Sequence, residues 1–401
     1  MSDLIGLLSI IFVFFITYFL TLKQPTISKI LFVGLIFRVL ILLLGQYVFI
    51  LPGSSADAVT YERIAWELAQ NNLIDLLNKY PGPDSRFISW LIALPYYFFG
   101  RSLLLAKSIS LLVSILSIYF SFKLAKKIWK DDYIAKKITW VIVFFPSLIL
   151  YSVIVMREVY IYFFLVVSLY GVVSWVETKK FSSVLLAFLG FTGSTFFHGA
   201  MITGGITFFL IVLLSSFRDL LKLISKFKIS LKVLLFLAIS ISILTFLVFS
   251  KYQIPYLGDF DKLTELENLL RKGKYSTMGD ASYPSWTVPN SFLELFYKIP
   301  IRSFYFLFAP FPWDITKTQH LIGMFDGLLY FYLIFLIFKN RKTIWNSNSL
   351  KIILMILISY IIVFSLGVGN FGTSFRHRSK FVILIIMLSG PLLKKIVIRN
   401  K

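Results

Sequence analysis

LIGLLSIIFVFFITYFLTL, residues Leu4 to Leu22, carries no charged side chain over 19 positions. As an α-helix rising 1.5 Å per residue it covers about 30 Å, the thickness of a bilayer's hydrocarbon core. It has no basic leading segment and no small-residue cleavage site, so it reads as a retained helix rather than a signal peptide. Comparable runs follow at Ile30–Phe49, Leu103–Phe122, Ile138–Met156, Val159–Val176, Val184–Phe197, Ala200–Ser216, Val233–Phe249, Leu321–Phe338, Ile352–Gly367 and Phe381–Leu393. The expectation is an all-α polytopic membrane bundle of about eleven transmembrane helices. The totals agree, because 58% of the 401 residues are hydrophobic and 18% aromatic, too apolar for a soluble globular domain. Residues 1–401 therefore read as one integral membrane domain. With no cysteine there is no disulfide framework and no thiolate metal site.

The formal charge of +22 comes from 41 Lys and Arg against 19 Asp and Glu. One set of loops, from Lys23 and Lys29 through Lys123–Lys137, Lys179–Lys180, Arg218–Lys232 and Lys339–Lys351 to Lys394–Lys401, holds 23 cations and four acids. The other set holds 17 cations and 15 acids, with Asp326 counted there, and Arg38 stands alone inside the second run. Basic residues stay on the cytoplasmic side. The charge is thus a topology signal, and it needs no nucleic-acid partner. The C-terminus is expected in the cytoplasm, the N-terminus outside, and the protein in the cytoplasmic membrane. This assignment requires two short apolar stretches, Phe87–Phe99 and Ile299–Phe311, not to cross.

Most acids then lie on the extracytoplasmic face, in a first loop over residues 52–101 and a large loop over 250–319. In the first, GSSADAVTYERIAWELAQ (Gly53–Gln70), the apolar spacing of Tyr61, Ile64, Ala65 and Leu68 predicts an amphipathic interfacial helix with Asp57 at its start. Leu73, Leu76, Leu77 and Tyr80 repeat the pattern. Asp57 either caps that helix or does chemistry. Arg157 and Glu158, in VIVMREVYIYF, sit in a tight turn between two apolar runs, as an interfacial ion pair or as functional groups. His198, in STFFHGAMI, either donates to a backbone carbonyl or belongs to the same face. GNFGTSFRHRSK (Gly369–Lys380) places Arg376, His377, Arg378 and Lys380 outside, against the positive-inside bias. Arginine forks match phosphate oxygens, so a lipid phosphate is the fitting ligand, with ordinary headgroup binding as the plain alternative. GDASYPSW (Gly279–Trp286) reads either as a sugar contact or as a linker.

These motifs, in this order, resemble the GT-C superfamily of polyprenyl-phosphate-sugar-dependent glycosyltransferases, especially bacterial proteins similar to family 39 mannosyltransferases and lipid A aminoarabinose transferases. ADAVTY resembles the acid of the first outer loop, SRFISWLIALPYYFFGRSLLLAKSISLLVSIL the juxtamembrane helix and the helix after it, and FPSLILYSVIVMREVYIYFF a proline-kinked helix ending at an acidic position. GNFGTSFRHRSKF and FLFAPFPWDI (Phe306–Ile315) resemble motifs of related polysaccharide-locus proteins. The chain departs from the pattern in three ways: one extra helix precedes the first loop, Asp57 is followed by Ala58 where a pair of acids is usual, and no large soluble C-terminal domain is seen.

The resemblance implies a GT-C-like fold and inverting transfer from a polyprenyl-phosphate-linked sugar to an envelope glycan or glycolipid. It implies Asp57 as general base or as the group that orients the acceptor hydroxyl, and Glu158 in place of the second acid, with Arg376, Arg378 and Lys380 on the donor phosphate. Arg157, His198, His377 and Tyr61 would bind the acceptor or shape its site. A divalent metal is neither required nor forbidden by the sequence. The competing readings are a polymerase of O-antigen or capsule repeat units and, less favoured, a lipid-sugar flippase or other transporter. Neither internal repeats nor several mid-membrane charges are seen to support transport.

Overall fold

The computed structural model describes residues 2–224 and 281–393. Within them the chain forms α1 (Ser2–Lys23), α2 (Ser28–Tyr47), α3 (Asp57–Ala69), α4 (Leu73–Asn78), α5 (Phe87–Phe99), α6 (Leu103–Trp129), α7 (Asp132–Phe144), α8 (Pro146–Leu150), α9 (Glu158–Thr178), α10 (Phe181–Phe197) and α11 (Ile202–Ile224). After the gap come α12 (Phe292–Phe308), α13 (Thr318–Lys339), α14 (Arg341–Asn346), α15 (Asn348–Gly367), α16 (Phe371–Ser379) and α17 (Val382–Ser389). Seven helices among the described residues, α1, α2, α6, α9, α11, α13 and α15, are long and apolar enough to cross a membrane. This is a helical membrane protein. The expected span Val233–Phe249 lies outside the described residues.

Two of the expected spans are corrected. The run Ile138–Met156 does not form one helix, because α7 ends at Phe144 after 13 residues. Pro146 brings no amide hydrogen, and its ring drives Phe145 to an extended conformation (φ −70°, ψ 119°). The five-residue α8 and a turn then carry the chain to Arg157. The run Phe381–Leu393 does not form one long helix either. Helix α17 has only eight residues and every one is buried, so it is a core element.

The break in α7 gives the buried charge of α2 its purpose. A helix that stops inside a membrane leaves carbonyls without amide partners, and no water replaces them there. Arg38, 1% exposed, donates from Nη1 to the carbonyl of Val143 at 2.9 Å and to that of Gly34 at 3.3 Å, and from Nε to Ser114 Oγ at 3.0 Å. A cation at a helix C-terminus also complements the macrodipole. Arg38→Met is expected to lower stability by about 1–3 kcal/mol, the cost of an orphaned buried acceptor. Thermal unfolding in detergent checks this, and an unchanged midpoint would mean that the Val143 carbonyl is served otherwise.

Elsewhere small residues set the spacing. A Cβ added to Gly171 of α9 would stand 2.4 Å from the amide nitrogen of Ala187, and one on Gly190 of α10 would stand 2.4 Å from that of Ser168. The two backbones therefore touch without side chains between them, as close-packed membrane helices do. At one end of the bundle the lysine-rich turns gather. Lys127 pairs with Glu177 at 2.8 Å, Lys126 with Asp132 at 2.9 Å, and Lys137 donates to the carbonyl of Leu393 at 2.8 Å.

The first loop builds the expected amphipathic pair. In α3, Tyr61 and Ala65 are buried while Arg63 and Glu67 face outward, and in α4 Leu76 is fully buried. Glu62 ties α3 to α5, accepting from Tyr96 Oη at 3.0 Å and from Arg101 Nε and Nη2 at 2.9 and 2.8 Å. The two stretches expected not to cross lie in α5, 13 residues long with Pro95 inside it, and in α12, 17 residues long with Lys298 and Arg302 in it.

Candidate functional site

The Gly369–Lys380 motif folds as α16, and its start is pinned by neighbours far away in sequence. Asn370 caps it, its Oδ1 accepting from the Thr373 amide at 2.7 Å. The Phe371 amide donates to the carbonyl of Ala281 at 2.9 Å, and the Tyr283 amide to that of Gly369 at 2.8 Å. The hydroxyls of Tyr283 and Ser374 share a hydrogen bond. The described part of GDASYPSW is thus a brace for α16; Gly279 and Asp280 lie outside the described residues.

A helix turns by about 100° per residue, so positions i and i+2 face apart. Arg376 and Arg378 consequently do different things. Arg376, 19% exposed, bridges two carboxylates: Nε donates to Glu158 Oε1 at 2.5 Å and Nη1 to Asp57 Oδ2. Asp57 is the first residue of α3, with Ala56 rather than Asp57 in the cap position. Its side chain is half exposed, whereas that of Glu158 is 2% exposed. Three residues separated by up to 319 positions meet here.

Behind this bridge the remaining candidates form a buried layer. Lys380 Nζ lies 2.6 Å from His377 Nδ1 and 3.8 Å from Glu158 Oε1, and Lys380 is fully buried. The His377 ring meets the His198 ring edge-on at 4.9 Å between centroids. Arg157 Nη1 donates to the carbonyl of Phe197 at 3.1 Å, and its guanidinium lies 5.9 Å from the Tyr61 ring centre. Burial holds His377 and His198 well below the usual histidine range, and Lys380, Arg157 and Arg376 push both further down. Both rings are therefore uncharged near neutral pH. Burial also lowers Lys380 well below its usual range, with Glu158 opposing and Arg157 and Arg376 adding to the shift.

Two of the expected phosphate ligands are fully buried in this geometry. Arg378 has no exposed surface, and four of its five N–H donors are used within the protein. Nε pairs with Asp326 Oδ2 at 3.0 Å, Nη1 reaches the carbonyls of Leu307 at 2.9 Å and Ala309 at 2.8 Å, and Nη2 reaches that of Gly323 at 2.9 Å. It staples the FLFAPFPWDI segment and α13 to α16. Asp326, counted with the outer charges from sequence, is fully buried as its counter-ion. Lys380, sealed behind Glu158, presents no surface to a ligand either. Glu158 is likewise enclosed, at 2% exposed, and is bonded to Arg376.

A cavity of about 410 Å³ opens against Asp57 and Arg376. Its other walls are mostly apolar, with Leu150, Met156, Ile322, Phe371 and Phe375, and it is bared at Gly53, Gly323 and Gly372. Tyr151, His320 and Thr373 add polar groups that the sequence did not single out. Their only signal was position: each lies near the end of an apolar run on the same side as Asp57. Several buried polar atoms here, Arg376 Nη2, Arg157 Nε, Glu158 Oε2 and His198 Nδ1, have no hydrogen-bond partner among the described residues. Among those residues no group of three or more His, Asp or Glu side chains is placed to hold a metal ion. No known protein family matches the chain, and comparisons with curated proteins and with solved structures find no similar one.

Proposed function

We propose that the protein is a glycosyltransferase that moves a sugar from a polyprenyl-phosphate carrier to a hydroxyl of an envelope glycan or glycolipid at the extracytoplasmic face. The observation that carries this reading is the meeting of Asp57 and Arg376 on the wall of a largely apolar cavity. A guanidinium edge suits a phosphate, apolar walls suit the lipid that bears it, and a half-exposed carboxylate suits an incoming alcohol. The sequence resemblance to GT-C enzymes points the same way.

In this reaction Asp57 takes the proton of the acceptor hydroxyl as that oxygen attacks the anomeric carbon. The bond from that carbon to the phosphate oxygen breaks, and the lipid phosphate leaves with the electron pair. Arg376 balances the negative charge that gathers on the leaving phosphate. Glu158 is a positioning residue that fixes the guanidinium through Nε. Attack opposite the leaving group inverts the anomeric centre.

The test is transfer of radiolabelled sugar from polyprenyl-phosphate donors by the purified protein in detergent. Movement of label to a lipid-linked glycan, with inversion, supports the reading. Joining of whole lipid-linked repeat units, with no transfer of single sugars, would replace it with a polymerase. Passage of intact lipid-linked sugar across a vesicle membrane without bond cleavage would replace it with a flippase.

A further inference from the structure

The bridge at Arg376 poses a problem for the reaction just described, and the inference drawn from it rests on that donor-phosphate reading. A carboxylate bound to Arg376 covers the guanidinium edge on which a phosphate would form its paired hydrogen bonds. Asp57 and a phosphate thus compete for Nη1 of Arg376, while Nη2 has no partner among the described residues.

The two carboxylates on Arg376 are unequally held. Glu158 is 2% exposed and has Lys380 behind it at 3.8 Å, so pulling it away would strand a buried charge. Asp57 is half exposed, at the tip of α3, and follows Gly53, whose φ of 76° marks a turn. Exposed ion pairs are weak, so Asp57 is the partner that an anion displaces.

We propose that Asp57 plugs the anion seat on Arg376 until a lipid phosphate arrives. The phosphate takes the Nη1 and Nη2 edge, Glu158 keeps Nε, and the Asp57 carboxylate is released into the cavity, free to meet the acceptor hydroxyl. Donor binding and arming of the base are then one event. The order is fixed, donor before acceptor, and the Asp57 carboxylate stays engaged on Arg376 while the carrier is absent.

The experiment titrates the purified protein in detergent with polyprenyl phosphate lacking any sugar, and with the uncharged polyprenol as control. Asp57→Asn and Asp57→Ser are expected to bind the phosphate roughly two- to fivefold more tightly than the wild type, the equivalent of one exposed ion pair. Affinity for polyprenol should not change. In parallel, labelling of Asp57 by a water-soluble carbodiimide, mapped by mass spectrometry, should rise when polyprenyl phosphate is added and not when polyprenol is added. If the wild type binds polyprenyl phosphate no better than polyprenol, the donor-phosphate reading falls. If it binds the phosphate but both variants bind equally or more weakly, the plug is overturned and the reading stands. Tighter binding without any rise in Asp57 labelling also overturns the plug, since loss of a nearby negative charge would then explain the affinity.

Discussion

Asp57→Asn is expected to slow sugar transfer by about 10²- to 10⁴-fold, the usual contribution of a positioned general base. The substitution keeps the shape of the side chain and removes only its ability to take a proton. Its cost in stability should be small, about 1 kcal/mol or less, because the pair it breaks is half exposed. Rate and folding therefore separate, and single-turnover transfer measured beside thermal unfolding reads both. The donor should still bind, more tightly if Asp57 plugs Arg376 as proposed. A variant as active as the wild type would leave Asp57 as a partner of Arg376 alone, and the polymerase and transporter readings would move ahead.

Arg378→Ala is expected to lose about 3–5 kcal/mol of stability, the largest structural effect among these substitutions. It strands Asp326 as a fully buried carboxylate, and it leaves the carbonyls of Leu307, Ala309 and Gly323 without their donor. The loss should appear as a lower unfolding temperature and a lower yield of folded protein, with or without lipid phosphate. Replacing the pair together, Arg378→Met with Asp326→Leu, should recover part of the loss, since two apolar side chains leave no uncompensated charge. Arg376→Ala should behave differently, weakening lipid-phosphate binding more than it weakens the fold. If Arg378→Ala unfolds at the wild-type temperature, the staple role fails.

The two arginines also mark how much of the site could be read from the sequence. FRHR looks like one cationic cluster when read as a string, and the expectation placed both arginines on one phosphate. Once Phe371–Ser379 is a helix, a spacing of two residues sets them on opposite sides. The closeness of His377 and Lys380, three residues apart, follows from the same turn. Pro146 sends a similar signal: in the string it suggests a kink in a continuous span, whereas α7 stops there outright. A proline alone does not say whether the freed carbonyls find a partner, and the partner, Arg38, lies 105 residues away.

What the sequence determined by itself is the class of molecule. Bilayer hydrocarbon offers no hydrogen bonds, so apolar runs such as Leu4–Leu22 have little choice but to be helices. The amphipathic spacing from Tyr61 to Leu68 likewise placed α3 with its apolar face inward. Only the tertiary structure decided which charges meet. Asp57, Glu158 and Arg376 belong to three separate helices, and their side chains bond because the packing of α3, α9 and α16 leaves them nowhere better to go. Hydropathy is a local property of a few residues at a time, whereas a salt bridge across 319 positions depends on every helix packed between.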